Sequence, residues 1–103
     1  MALPTLTPEQ RQASLEKARE ARTARSAMLA DLRAARLTLA DVLDRDDDLA
    51  RKTKVAHVVR ALPGVGQVRA AAIMERAGIP PERRVGGLGA RQREQLLAEF
   101  TGQ

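Results

Sequence analysis

The residues best suited to chemistry lie between Leu62 and Arg84. Leu62-Pro63-Gly64-Val65-Gly66 is followed by Gln67-Val68-Arg69-Ala70-Ala71-Ala72-Ile73. Pro63 stops a preceding helix, the glycines permit backbone angles closed to other residues, and the next helix opens with its first N–H groups unpaired. Around Gly64 to Gln67 those groups, at the positive end of the helix dipole, form a place where a phosphate can sit with no side chain intervening. Val65 plugs the core between the two helices. Two glycines flanking one residue are a weak signal alone, because glycines in helix turns are mostly C-caps. The longer pattern is stronger: an apolar helix, the turn, then Ala70 and Ile73 at helical spacing. A second glycine-rich turn, Gly86-Gly87-Leu88-Gly89, follows the adjacent Arg83 and Arg84. Paired arginines there suit phosphate oxygens, which accept charge-assisted hydrogen bonds, and a solvated turn is the bland alternative.

The flanking helices must hold these turns in place. Thr7-Pro8-Glu9-Gln10 reads as a helix start, with Thr7 as cap, Pro8 at the first helical position and Gln10 completing a capping box. From there to about Arg36 the chain lacks Gly and Pro, which predicts one long helix or two nearly continuous ones. At helical spacing Arg11, Arg22, Arg25, Arg33 and Arg36 fall within a sector of about 80°, opposite Glu9, Glu16, Glu20 and Asp31. A basic edge of this kind can follow several phosphates, or it can simply be solvated. Thr38 with Asp41 predicts a second, short helix. The acidic run Asp44, Asp46, Asp47 and Asp48 fails as a calcium loop, because Leu49 and Val55 stand where a Gly and a bidentate Glu are required. It reads instead as a cap for the next helix.

That third helix is expected through Arg51 to Leu62, with Val55, Val58, Val59 and Leu62 as its core face. Arg51, Lys52 and Lys54 then crowd its start against the dipole, which an anionic partner would explain. His57 lies roughly 160° from the apolar face and is expected to be an exposed surface residue beside Arg60. In the last helix Leu96, Leu97 and Phe100, with Leu88 before them, have core spacing, while Arg91 and Arg93 either flank the site or solubilise it.

Composition narrows the partner. At 103 residues the chain has room for one domain, and no apolar run approaches the roughly 18 residues that span a bilayer. With no Cys it makes neither disulfides nor thiolate metal sites, and the absence of a leader pattern in MALPTLTPEQ makes the cytoplasm the expected compartment. The net charge of +5 is concentrated after Asp48, where 10 basic residues face 4 acidic ones. One Phe and no Trp or Tyr suit the backbone of a duplex better than unpaired bases, which need ring faces for stacking.

The stretch Leu62-Pro63-Gly64-Val65-Gly66 with Ala70 and Ile73 resembles the helix-hairpin-helix family of duplex-binding motifs. Continued through Pro80-Pro81-Glu82-Arg83-Arg84-Val85-Gly86-Gly87-Leu88-Gly89 into ARQREQLLAEF, it looks like the helix-two-turns-helix variant. With the MALPTLTPEQR start, the whole chain resembles the integration host factor family of actinobacteria. The resemblance implies an all-α fold: a long N-terminal helix and short second helix over residues 1–48, then a compact helix-two-turns-helix domain over 49–103. It implies a nucleoid-associated, cytoplasmic protein that binds double-stranded DNA with little sequence preference, bends or compacts it and assists site-specific recombination and phage integration. Its hairpin contacts would fall on Gly64, Val65, Gly66, Gln67 and Arg69, and its basic stretch on Arg83 and Arg84. A basic residue common in the family is replaced by Gly86, which removes one contact.

The expected binding set is therefore Lys52, Lys54, Gly64, Val65, Gly66, Gln67, Arg69, Arg83 and Arg84 on one surface, with the helix edge of Arg22, Arg25 and Arg33 on another. No catalytic residue, metal, cofactor, membrane or small-molecule substrate is expected, and the protein is expected to be a monomer. An RNA-binding ribonucleoprotein component is the rival reading. A glycosylase-like enzyme is disfavoured by the lack of a Lys at Gln67 or Arg69, and a pure protein-interaction module would leave the basic hairpin without a purpose.

Overall fold

The computed structural model describes residues 7–101. All regular structure among these residues is helical: α1 (Pro8–Arg33), α2 (Leu39–Asp44), α3 (Asp48–Lys52), α4 (Val55–Ala61), α5 (Gln67–Arg76), a 3-10 turn (Val85–Gly87) and α6 (Ala90–Thr101). The capping box that opens α1 is formed. The Thr7 amide donates to Gln10 Oε1 at 3.0 Å and the Gln10 amide to Thr7 Oγ1 at 3.1 Å. The Met1–Leu6 portion of the motif-bearing start lies outside the described residues.

α1 ends at Arg33, short of the expected Arg36. Its carbonyls are closed off by a left-handed turn in which the Ala35 amide donates to Leu32 O (3.1 Å) and the Arg36 amide to Asp31 O (2.8 Å). Ala35 holds φ 61 there, a position that glycine fills without steric cost. Arg36 thus leaves the basic edge of the helix and pairs with Asp31 at 2.9 Å. About 39 Å long at the helical rise, α1 is exposed on all sides from Pro8 to Ala24. Only its C-terminal part is anchored, through buried Met28 and Leu32, and the extents of 54 × 32 × 25 Å reflect that projecting arm.

Thr38 and Asp41 form the second capping box, with distances of 2.9 and 3.1 Å, and Asp47 caps α3 through the Ala50 amide at 3.3 Å. The helix expected over Arg51–Leu62 is broken in two. Thr53 and Lys54 are extended, Thr53 Oγ1 donates to Leu49 O at 2.7 Å, and the freed backbone pairs with the second turn instead of continuing the helix. The Val85 amide donates to Thr53 O and the Val55 amide to Arg83 O, both at 2.9 Å, which makes an isolated antiparallel bridge between Lys54 and Arg84. Long-range pairing has overridden local helix propensity at this point.

α5 ends in another left-handed turn at Gly78 (φ 69). Gln92 of α6 ties this end to the second turn: its Nε2 donates to Gly78 O (2.9 Å), and its Oε1 accepts from Arg83 Nη1 and the Gly89 amide (both 3.0 Å). Arg76 and Glu99 join α5 to α6 with two hydrogen bonds of 2.9 and 3.0 Å. A single core receives Leu32 of α1, Val42 of α2, Val55, Val58 and Val59 of α4, Ile73 of α5 and Leu96 of α6. Leu88, Leu97 and Phe100 pack against it as expected from their spacing.

Candidate functional site

The first turn is built as its residues require. The Val65 amide donates to Leu62 O at 3.1 Å across Pro63 and Gly64, and Gly64 takes φ 75, the left-handed angle that the third residue of such a turn needs. Gly66 is the N-cap of α5 and supplies no side chain to its first turn, so the amides there stay open at the positive end of a ten-residue helix. A Cβ at Gly66 would meet nothing within 4 Å. The glycine therefore keeps clear the space through which an anion would approach these amides. Val65 is only 8% exposed and its amide already donates to Leu62 O, so it leaves no free donor for a phosphate, contrary to its place in the expected contact set. The exposed apolar side chain at the hairpin is Val68, at 85%.

The broken helix gathers the cations. Because Thr53 and Lys54 run antiparallel to Arg83 and Arg84, Lys52 and Lys54 come to lie beside Arg84, whose Nη1 donates to Lys52 O. α1 crosses α4 above this bridge. Arg25 shares a depression of about 190 Å³ with Lys52, Lys54, His57 and Arg84. Further along the crossing, Arg33 shares one of about 450 Å³ with His57, Arg60 and Gln67. A basic belt thus runs from Arg84 over the α1–α4 crossing to Gln67 and the open end of α5. Arg25 and Arg33 join the surface of Lys54 and the hairpin rather than forming a separate one. Among the described residues Arg25, Arg33, Lys52 and Arg60 make no ion pair, while Lys54 pairs with the exposed Glu82 at 3.1 Å.

Other expected residues stand apart. Arg83 Nη1 is committed to Gly87 O (2.9 Å) and to Gln92, bracing the second turn from a half-buried position. Arg69 Nη1 reaches back to Gly64 O at 3.4 Å, beside the hairpin on the side that faces Glu99. Arg22 lies on the arm one turn before Arg25. Arg93 is tied to Leu43 O and Asp44, which settles it as a brace between α6 and α2. Gly86 faces Arg51, whose side chain and carbonyl a Cβ would meet at 3.1–3.2 Å, so close approach of the second turn to α3 leaves no easy room for a larger residue.

Arg51 and Lys52 sit in the last turn of α3, where cations favour the dipole. Only Lys54 stands at a helix start, as the N-cap of α4, so the dipole conflict read from a continuous helix is reduced from three cations to one. His57 is half-buried rather than exposed, covered by the crossing of α1. Burial first, then Arg60, Lys54, Arg25 and Arg84, hold its pKa below the ordinary imidazole range. His57 and Arg60 were missing from the expected contacts. Their spacing after Lys54, three residues at each step, was the available sign.

Comparison with known proteins agrees with this geometry. A family profile described as S13-like H2TH domain matches residues 32–100. The chain is 48% identical over 102 residues to a Streptomyces coelicolor protein named Integration host factor, covering 97% of this chain and 95% of that protein. It is 47% identical over 102 residues to proteins of the same name from Mycobacterium tuberculosis and Mycolicibacterium smegmatis, covering 97% of each chain. Its fold matches a solved structure described as sIHF bound to an 8bp palindromic DNA, with a TM-score of 0.80 and 42% identity over 82% of this chain and 98% of that one.

Proposed function

The chain belongs to the integration host factor family and carries an S13-like H2TH domain, and from that premise we propose that it is an architectural protein of the nucleoid. Its partner is double-stranded DNA. The belt of Arg25, Arg33, Lys52, Lys54, Arg60 and Arg84 contacts phosphates along one strand edge, and the open amides around Gly66 and Gln67 donate to one more at the end of that track. Phosphate contacts carry no base information, which gives binding with little sequence preference. The observation that carries this reading is the convergence of cations from α1, α3, α4 and the second turn beside an uncapped helix N-terminus.

Neutralising phosphates on one side, with the arginines of the projecting arm extending the track, favours bending and compaction of the duplex. Assistance to site-specific recombination and phage integration follows as shaping of the substrate, with no chemistry performed by this chain. The protein acts in the cytoplasm on the chromosome as a monomer, without metal or cofactor. The test is fluorescence anisotropy of a labelled duplex of about 25 base pairs beside a matched RNA duplex at several salt concentrations. We expect tighter binding to DNA with a steep salt dependence. A clear preference for RNA would overturn the reading in favour of a ribonucleoprotein role.

A further inference from the structure

Along α4, Lys54, His57 and Arg60 follow one another three residues apart, on the side of the helix away from its buried valines. Every element packed around this stripe presents charge or hydrogen-bonding groups to it. α1 brings Arg25 and Arg33, α3 brings Lys52, the second turn brings Arg84, and α5 faces it across a groove of about 490 Å³ with Gln67 and Glu75. Glu82, the other carboxylate near the stripe, is held by Lys54. His57 lines all three of these adjoining depressions, and while its backbone amide donates to Lys54 O, its imidazole makes no hydrogen bond or ion pair with any described residue.

We propose that His57 is the centre of a phosphate-binding site at the α1–α4 crossing, and that it takes up a proton when a DNA phosphate enters. The proposal rests on the DNA-binding reading above and adds to it a residue and a dependence on pH. In the free protein burial under α1 disfavours the charged imidazole, and the surrounding guanidinium and ammonium groups add to the effect. A phosphodiester at the crossing reverses that field. It pairs with Arg25 and Arg60, and it accepts a hydrogen bond from a protonated imidazole better than from a neutral one. Each unit by which DNA raises the His57 pKa is a tenfold difference in affinity between solutions well below and well above it.

His57 is the sole histidine and there is no Cys, so it is the one side chain whose ordinary titration range lies near neutral pH, and about pH 5.5 to about pH 7 is the range to search. The experiment follows the His57 imidazole of the full chain by proton NMR across that range, free, with a saturating duplex, and with inorganic phosphate alone. Anisotropy titrations of the wild type and of His57→Gln accompany it. We expect the duplex to raise the imidazole pKa, and wild-type affinity at the lower pH to be about five- to tenfold higher, with a salt slope steeper by about 0.9. His57→Gln should show the same affinity and slope at both pH values. Tight DNA binding with an unmoved imidazole pKa would overturn the proposal and leave the DNA reading intact. Failure of the wild type to bind DNA would overturn that reading itself. An imidazole raised by inorganic phosphate and not by the duplex would take the site away from DNA.

Discussion

Arg83 and Arg84 are adjacent, carry the same charge, and are given different work by the fold, which makes them a sharp pair to separate by substitution. Arg84 is exposed, lines the depression shared with Lys52, Lys54 and Arg25, and makes a hydrogen bond to Lys52 O. Arg84→Ala removes one phosphate contact, so the slope of log affinity against log salt should become shallower by about 0.9. The same term evaluated at each salt concentration gives about an eightfold loss of affinity at 0.1 M and about threefold at 0.3 M. Its melting temperature should move little, because the lost hydrogen bond is open to water. Arg83 is half-buried and donates to Gly87 O and Gln92 Oε1, at 2.9 and 3.0 Å. Arg83→Ala should cost about 1–2 kcal/mol after allowance for partial exposure, a fall of roughly 5–10 °C in Tm, with the salt slope nearly unchanged. Anisotropy across a salt series and thermal unfolding by circular dichroism measure both quantities. If Arg83→Ala flattened the slope as much as Arg84→Ala and left Tm alone, the division of labour read from these contacts would be wrong.

Four other outcomes follow from single features. Ala35→Gly should raise stability by about 0.5–1 kcal/mol, seen as a higher Tm, because Ala35 holds φ 61 at the end of α1. Glu82→Gln should tighten DNA binding about two- to fivefold and steepen the salt slope, since it frees Lys54 from an exposed pair of small worth. An unchanged affinity there would show that Lys54 is not on the phosphate track. Gly66→Val should leave the fold within about 1 kcal/mol, because a Cβ has open space, yet weaken binding about tenfold by covering the first-turn amides of α5, with no change of charge. In the free protein His57 favours its neutral form, so its contribution to stability is present above about pH 6.5 and lost as pH falls through the lowered value. Thermal melts of wild type and His57→Gln at the two pH values should show that loss in the wild type alone.

Much of the architecture was written in local signals. The capping pairs Thr7 with Gln10 and Thr38 with Asp41, the cap at Asp47 and the hairpin at Gly64–Gly66 are all determined by neighbours a few residues apart, and each forms as its spacing indicates. What escaped was set by partners far along the chain. The break at Thr53 depends on pairing with Arg83 and Val85, some thirty residues on, and no periodicity in RKTKVAHVVRAL announces it. The burial of His57 depends on where α1 crosses, which no local pattern fixes. The merging of Arg25 and Arg33 with the hairpin surface has the same cause. Gln92 escaped because one glutamine bridging Gly78, Arg83 and Gly89 has no signature until those turns are folded together.

The central claim, that the α1–α4 crossing, the second turn and the open end of α5 form one DNA-binding surface, is most directly tested by backbone amide chemical-shift mapping with a short duplex. We expect the largest shifts at Gly66 to Arg69, Lys52 to Arg60, Arg84 and Arg25 to Arg33, with the acidic turn Asp44–Asp48 unmoved. Shifts centred on that turn or on the exposed face of α6, with the belt quiet, would contradict it.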